Sequence, residues 1–469
     1  MIQGQNSTEN RGNQVMSSAN AQAQYEKMTR TPIPELVIRL SIPAIASMLV
    51  TSIYNLVDTA FVGRLGDSAS GAVGVVFGLM SIIQAVAFLF GQGSGAIAAR
   101  KLGEREVEQA SRIASTGFFF AFGAGLVIEV VSFLALDPLV HLLGSTDTIA
   151  PYAKEYIRFI LIAAPFMASS LVLNNLLRYE GKAVLGMVGL ITGSLLNIGG
   201  DALFMFGMGM GVTGAGLSTG VSQIVSFLIL LSMFLRGKTQ CRLSIRRVSR
   251  KTSEVLDIVA TGLPSLLRQG LNSLGTVLLN ALAGVYGDAA IAAMSIVSRI
   301  IMFIFSVGLG VGQGFQPISA FNYGAKKYSR VRQAYRFTLL LSESILVLFA
   351  LVVLLRSGTL IGYFRDSEQV IAIGTRALRL QTVAVLFLPF SMVTEMQLQS
   401  TGQKLHASLL SALRSGLFFI PTLVILARVR GLAGIQEAQP IAFLLSFGVA
   451  ILFARNFFRN MPTQDGGIS

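Results

Sequence analysis

The sequence predicts an all-α polytopic membrane protein, twelve transmembrane helices in two pseudo-symmetric six-helix lobes, and three observations predict it. The first is composition: of 469 residues 53% are hydrophobic and 13% charged, mean hydropathy is +0.66, and the chain has no Trp, one Cys and two His. That lies well outside the range of soluble globular domains. The second is a recurrence of apolar runs, each long enough to cross a hydrocarbon core about 30 Å thick. Backbone buried in lipid has to be helical or part of a closed barrel, and these run lengths fit the helix. The third is an internal repeat.

Sliding the sequence against itself by 221 residues aligns 66–103, "GDSASGAVGVVFGLMSIIQAVAFLFGQGSGAIAARKLG", with 287–324, "GDAAIAAMSIVSRIIMFIFSVGLGVGQGFQPISAFNYG", at thirteen identities in 38 positions. The same offset pairs Pro43 with Pro264 and Gly181 with Gly402, and an offset of 220 pairs "GVTGA" at 211 with "GLAGI" at 431. Six helices per copy is an even number, so both copies enter from the same side and the repeat is parallel.

In chain order, residues 1–30 are rich in Asn, Gln and Ser, lack an apolar segment, and read as a disordered cytoplasmic tail rather than a signal peptide. The N-terminal lobe, 31–235, holds runs at 36–62, 71–99, 111–136, 151–177, 184–208 and 213–235. The loop 236–251, "RGKTQCRLSIRRVSRK", is basic and joins the lobes; its lone Cys241 has no partner for an internal disulfide. The C-terminal lobe, 252–457, holds runs at 256–285, 289–318, 334–356, 369–398, 405–428 and 438–457, and 458–469 form a cytoplasmic tail. With the N-terminus inside, the inner loops carry twenty Lys and Arg and the outer loops eight, which places both termini in the cytoplasm. The net charge of +14 then reads as an anchor facing anionic lipid, not as a nucleic-acid surface. No GxxxxGK[ST] occurs, so "GQGSG" and "GLGVGQG" are not phosphate loops.

Two such lobes flank a cavity and rock about it, which points to transport; a rigid scaffold is the alternative. The polar residues inside the helices sharpen this. At a rise of about 1.5 Å per residue, Asp58 on helix 1 and Asp201 on helix 5 both fall in the outer half. Tyr156 on helix 4 and Thr219 on helix 6 lie near their helices' outer ends, and Asn197 is one turn from Asp201 on the same face. Five polar side chains from four helices thus share one layer of one lobe. Their repeat mates at three positions, Leu279, Phe418 and Thr422, lack the charges. A carboxylate in that layer costs several kcal/mol unless paired, protonated or ion-bound. Such a pair suits reversible binding of a proton or small cation. The competing reading pairs each acid with a buried base, for which the helices offer Arg158, Arg268 and Arg299. Glu129 and Glu343 occur singly, Glu129 as a supporting group or a second proton site, and Glu395 reads as interfacial.

"YNLVDTAFVGRLG", "GQGSGAIAARKLGER", "LLRYEGK" and "LLNIGGDALFMFGMGMGVTGAGLST", in that order, resemble the multidrug and toxic compound extrusion (MATE) family across nearly the whole chain beyond residue 31. The resemblance implies an antiporter of the cell membrane, not an enzyme, that exports organic cations for H+ or Na+ and uses no cofactor. In the most similar branch the cation site lies in the N-terminal lobe. The matching positions are Asp58, Asn197, Asp201 and Thr219, which are also the implied Na+ ligands, with Tyr156 in support. The acid that another branch keeps on helix 7 is absent from "LLRQGLNSLGTVLLNALAGVYG". Partners implied are small organic-cation drugs and membrane lipids, with no nucleic acid, and the protein is expected as a monomer. The 31 Phe and 16 Met suit adaptable apolar walls. The alternatives are a lipid or polysaccharide-precursor flippase of the same superfamily and an intramembrane aspartyl protease. The protease needs a GxGD motif, whereas "NIGGD" has Ile198 at the first Gly.

Overall fold

The computed structural model describes residues 21–365 and 367–466. A short helix, α1 (residues 21–30), precedes α2 (Ile33–Gly63), α3 (Asp67–Gly103), α4 (Val107–Leu134), the short α5 (Leu136–Leu142), α6 (Ala150–Tyr179), α7 (Ala183–Asp201) and α8 (Gly211–Leu235). The second copy comprises α9 (Thr252–Gly284), α10 (Asp288–Gly324), α11 (Tyr328–Phe364), the pair α12 (Glu368–Val385) and α13 (Leu388–Ser400), the pair α14 (Lys404–Ala412) and α15 (Phe419–Arg430), and α16 (Leu432–Asn460).

All twelve expected runs lie in long helical segments. Ten are long and apolar enough to cross a membrane, and α12 with α13 makes an eleventh across a 47° bend. Pro389 in the first turn of α13 lacks the N–H that would continue α12, which fits a break there. The remaining helix, α9, has 33 residues but is less apolar, because Arg268, Gln269, Asn272 and Ser273 fall in its middle.

The repeat is visible in the backbone. Pro43 lies inside α2 and its mate Pro264 inside α9. Gly181 and Gly402, mates just past the ends of α6 and α13, have φ of +75° and +82°, a conformation that terminates helices at low cost only in Gly. Arg105 and Lys326 are mates as well, and both hold the left-handed φ rare outside Gly, +64° and +56°.

Packing divides the molecule by depth. On the face that carries the basic loops, one core joins the copies, with Leu40, Phe90 and Ile97 packed together with Ile258, Phe315 and Phe321. Toward the opposite face there are two separate cores, one from residues 62–215 and one from residues 279–443. The lobes therefore meet at the basic face and part toward the other. Glycines allow that seam: a Cβ on Gly262 would overlap the carbonyl oxygen of Leu89, and one on Gly93 that of Ile258.

Two expectations are corrected. Of the tail expected to be disordered, residues 1–20 lie outside the described residues, but 21–30 form α1, docked across the seam. "AQAQYEKMTR" is rich in good helix formers, and its buried face presents Gln24, Tyr25, Met28 and Thr29. Gln24 donates to the carbonyl of Glu180 at 2.6 Å, and on the other lobe Asn322 donates to the carbonyl of Met28 at 3.1 Å. Glu395, expected at the interface, is fully buried and bridges Arg268 at 2.7 Å and Arg414. Arg414 reaches it from the π turn Leu413–Leu417 between α14 and α15.

Candidate functional site

Asp58 lies in the last two turns of α2, Tyr156 in the second turn of α6, Asn197 and Asp201 at the end of α7, and Thr219 in the third turn of α8. The structure brings all five together. Tyr156 Oη donates to Asp58 Oδ2 at 3.1 Å and lies 3.2 Å from Thr219 Oγ1. Asn197 Nδ2 donates to Thr219 Oγ1 at 3.1 Å and to Asp201 Oδ1 at 3.5 Å.

Local backbone makes this convergence possible. Asn197 and Asp201, four residues apart, share one helical face. Directly after Asp201 the chain widens into a π turn, Ala202–Gly207, of the kind that reaims a helix end at functional positions. Gly200 has no side chain where Ser218 of α8 approaches, so α7 and α8 come close enough for Ser218 to donate to the carbonyl of Asn197 at 2.9 Å.

The site is acidic and enclosed. Asp201 is 0% exposed, and Tyr156, Asn197 and Thr219 are buried. Neither Asp58 nor Asp201 has a Lys or Arg within salt-bridge distance among the described residues; Arg268, weighed as a counter-ion, is held by Glu395 in the other lobe. Asn197 Oδ1 and Asp201 Oδ2 are buried with no hydrogen-bond donor among the described residues. Two carboxylates, an amide oxygen and two hydroxyls form a hard-oxygen set that fits a small monovalent cation, and the carboxylates alone fit protons.

Tyr54 and Ser218 were not singled out by sequence. Tyr54 is buried one turn before Asp58, within electrostatic reach of both acids. Its signal is the i, i+4 spacing in "YNLVD"; Ser218 had only its adjacency to Thr219. At the mate of Asp58 the C-terminal lobe buries Leu279 in an apolar core with Phe419 and Leu423. The buried charges of that lobe among the described residues, Arg268, Glu395 and Arg414, occupy the mates of Ser47, Asn174 and Gly193.

A family model described as MatE matches twice, at residues 43–203 and 264–425, and the two matches begin 221 residues apart, as do the repeats. The multidrug export protein MepA of Staphylococcus saprophyticus is 27% identical over 411 residues, covering 87% of this chain and 90% of that protein. Among solved structures, the outward-facing conformation of a multidrug resistance MATE family transporter of the MOP superfamily matches with a TM-score of 0.87 at 26% identity, over 93% of this chain and 98% of that one. A MOP superfamily transporter from Pyrococcus furiosus, described as having a binding pocket of reverse polarity that suggests a different function, matches equally well at 27% identity over the same shares.

Proposed function

The chain belongs to the MatE family, and on that premise we propose that it is a multidrug efflux antiporter, exporting organic cations across the cytoplasmic membrane in exchange for H+ or Na+. It is a multi-pass membrane transporter and not an enzyme, which removes the aspartyl-protease alternative. The proposed lobes are 31–235 and 252–457, joined by 236–251, with both termini in the cytoplasm.

The observation that carries the antiport reading is the pair Asp58 and Asp201, two carboxylates of one lobe with no basic partner among the described residues. A ligand shifts a two-state transporter only through its differential affinity for the two states, so coupling needs a group whose ion occupancy differs between them. In the proposed orientation the lobes part toward the outside, so the carboxylates load there. Binding of H+ or Na+ to Asp58, Asn197, Asp201 and Thr219, with Tyr156 holding Asp58, neutralises the layer. It thereby weakens the hold on a cationic cargo and lets α2 repack. The cargo enters from the cytoplasm when the seam opens and the outer halves close.

The Pyrococcus neighbour, described as having a binding pocket of reverse polarity that suggests a different function, makes the charge of this chain's own polar layer the feature that selects cargo. The acidic layer favours cationic cargo. The deciding experiment is reconstitution in liposomes with ethidium flux measured under separately imposed pH and Na+ gradients. Flux driven by either gradient supports antiport, and flux indifferent to both overturns it.

A further inference from the structure

The loop between the lobes is not a free tether. The backbone N–H of Arg242 donates to Ser111 Oγ at 3.1 Å, that of Ser244 to Ser115 Oγ at 3.2 Å, and that of Ser249 to Thr116 Oγ1 at 2.9 Å, so the loop is pinned along the first turns of α4. Between the pinned loop and α4 lies a pocket of about 340 Å³, lined by Glu108, Gln109 and Arg112 of α4 and by residues 246–251 of the loop. Two of its five cations are answered: Arg112 by Glu254 at 2.8 Å and Arg247 by Glu108 at 3.3 Å. Arg246, Arg250 and Lys251 have no carboxylate within salt-bridge distance among the described residues.

We propose that this pocket binds the phosphate headgroup of an anionic phospholipid. The ligand chemistry follows from three unanswered cations converging on a fixed backbone, which is how basic pockets beside transmembrane helices hold lipid phosphates. The source of the phosphate follows from exposed apolar side chains close in sequence to the lining residues. Ile245, next to Arg246 on the loop, is 70% exposed, and Leu256 at the start of α9 is 61% exposed. Both sit at the level where α4 and α9 begin, and an acyl chain covers them where a free phosphate or a nucleic-acid strand leaves them wet. The site goes beyond the transport reading and does not depend on it.

The location gives the lipid a consequence. Arg112 belongs to α4 in one lobe and Glu254 to α9 in the other, so the ion pair at the pocket wall spans the seam. A phosphodiester in the pocket competes with Glu254 for Arg112 and loosens that tie.

The test is native mass spectrometry of the purified full chain titrated with phosphatidylglycerol, with phosphatidylcholine as the neutral comparison. Glycerol phosphate and a short RNA serve as soluble competitors. Phosphatidylglycerol retention should exceed that of phosphatidylcholine. It should fall by roughly a hundredfold in the combined Arg246→Gln, Arg250→Gln, Lys251→Gln variant, since the three cations add their attractions for an anionic headgroup. The pair Arg236→Gln and Lys238→Gln, on the same loop outside the pocket, should leave retention unchanged. Equal loss in both variants, or no loss in the triple variant, overturns the pocket. Displacement of the lipid by glycerol phosphate or by RNA overturns its identity. The substituted residues are exposed, and a measurement of binding rather than flux separates this outcome from any failure of the transport reading.

Discussion

Gly103 and Gly324 are repeat mates, and each lies against the backbone of the other's helix: a Cβ on Gly103 would overlap the carbonyl oxygen of Phe321, and one on Gly324 that of Arg100. Arg100 and Phe321 are themselves 221 residues apart, so the contact is its own image across the pseudo-two-fold axis. Together with Gly93 and Gly262 it makes a seam in which α3 touches α9 and α10 backbone to backbone, with no side chain able to yield.

Substitution in this seam should bias the conformational equilibrium without touching the acidic layer. Gly262→Ala forces the lobes apart at the basic face, because the added methyl meets a carbonyl and not a movable side chain. A cysteine introduced at Ser41, buried where α2 meets α10 of the other copy, should then react with a maleimide applied from that face several times faster than in the parent sequence. Unchanged labelling would mean that the glycines serve only to fill space.

Asp58→Asn and Asp201→Asn keep side-chain volume and remove the charge. Each is expected to insert normally and to lose gradient-driven export. The double variant should be little worse than either, because groups acting as a unit are not additive. Thr422→Ala, at the mate of Asp201, should leave ion dependence intact. Full-rate pumping by either Asp variant would make that carboxylate structural and turn attention to Glu129.

Tyr156→Phe deletes one hydroxyl that touches both Asp58 and Thr219. Hydrogen bonds to charged groups contribute about 1.5–3 kcal/mol. The concentration of coupling ion giving half-maximal export should therefore change about tenfold or more, with the maximal rate nearly preserved. Equal loss of maximal rate and ion response would point to misfolding, which a thermal melt distinguishes.

Glu395→Gln leaves Arg268 and Arg414 buried without their shared carboxylate. Removing one partner of a buried charge set costs about 3–5 kcal/mol, whereas replacing all partners by apolar residues of similar size is often neutral. The single variant should therefore melt lower than the parent in detergent. The combination Arg268→Met, Glu395→Leu, Arg414→Leu should recover most of the loss. A triple variant as unstable as the single one would show that the set has further partners.

The helices and the repeat were legible because lipid imposes them on composition: a run of about 20 apolar residues has few other uses. The acidic layer was legible for a related reason, since Asp58 and Asp201 are conspicuous in such runs and their depth follows from counting residues. What escaped the sequence were pairings between distant segments. Nothing local tells Glu395 that Arg414 will face it across two helices, and the expectation of an interfacial acid failed there. Nor does anything in "AQAQYEKMTR" announce a docking surface made of helix ends and loop carbonyls. Its polar composition resembles disorder because its partners are supplied by residues near 180 and 322. The linker's contacts with Ser111, Ser115 and Thr116 were hidden for the same reason, as hydroxyls accepting backbone N–H groups leave no periodic trace.

The seat of α1 also fixes an order of events during synthesis. Residues 21–30 leave the ribosome early, and their first partners, Glu180 and Gly181, follow within the same lobe. Asn322 and Arg330, which hold the carbonyls of Met28 and Thr31, emerge some 300 residues later. At about 5–20 residues per second that is a delay of roughly 15–60 s. Once residues 180 and 181 have emerged, about halfway through that delay, the helix waits half-bound on the nascent first lobe, and it can close across the second only when α10 and the start of α11 have been threaded into place.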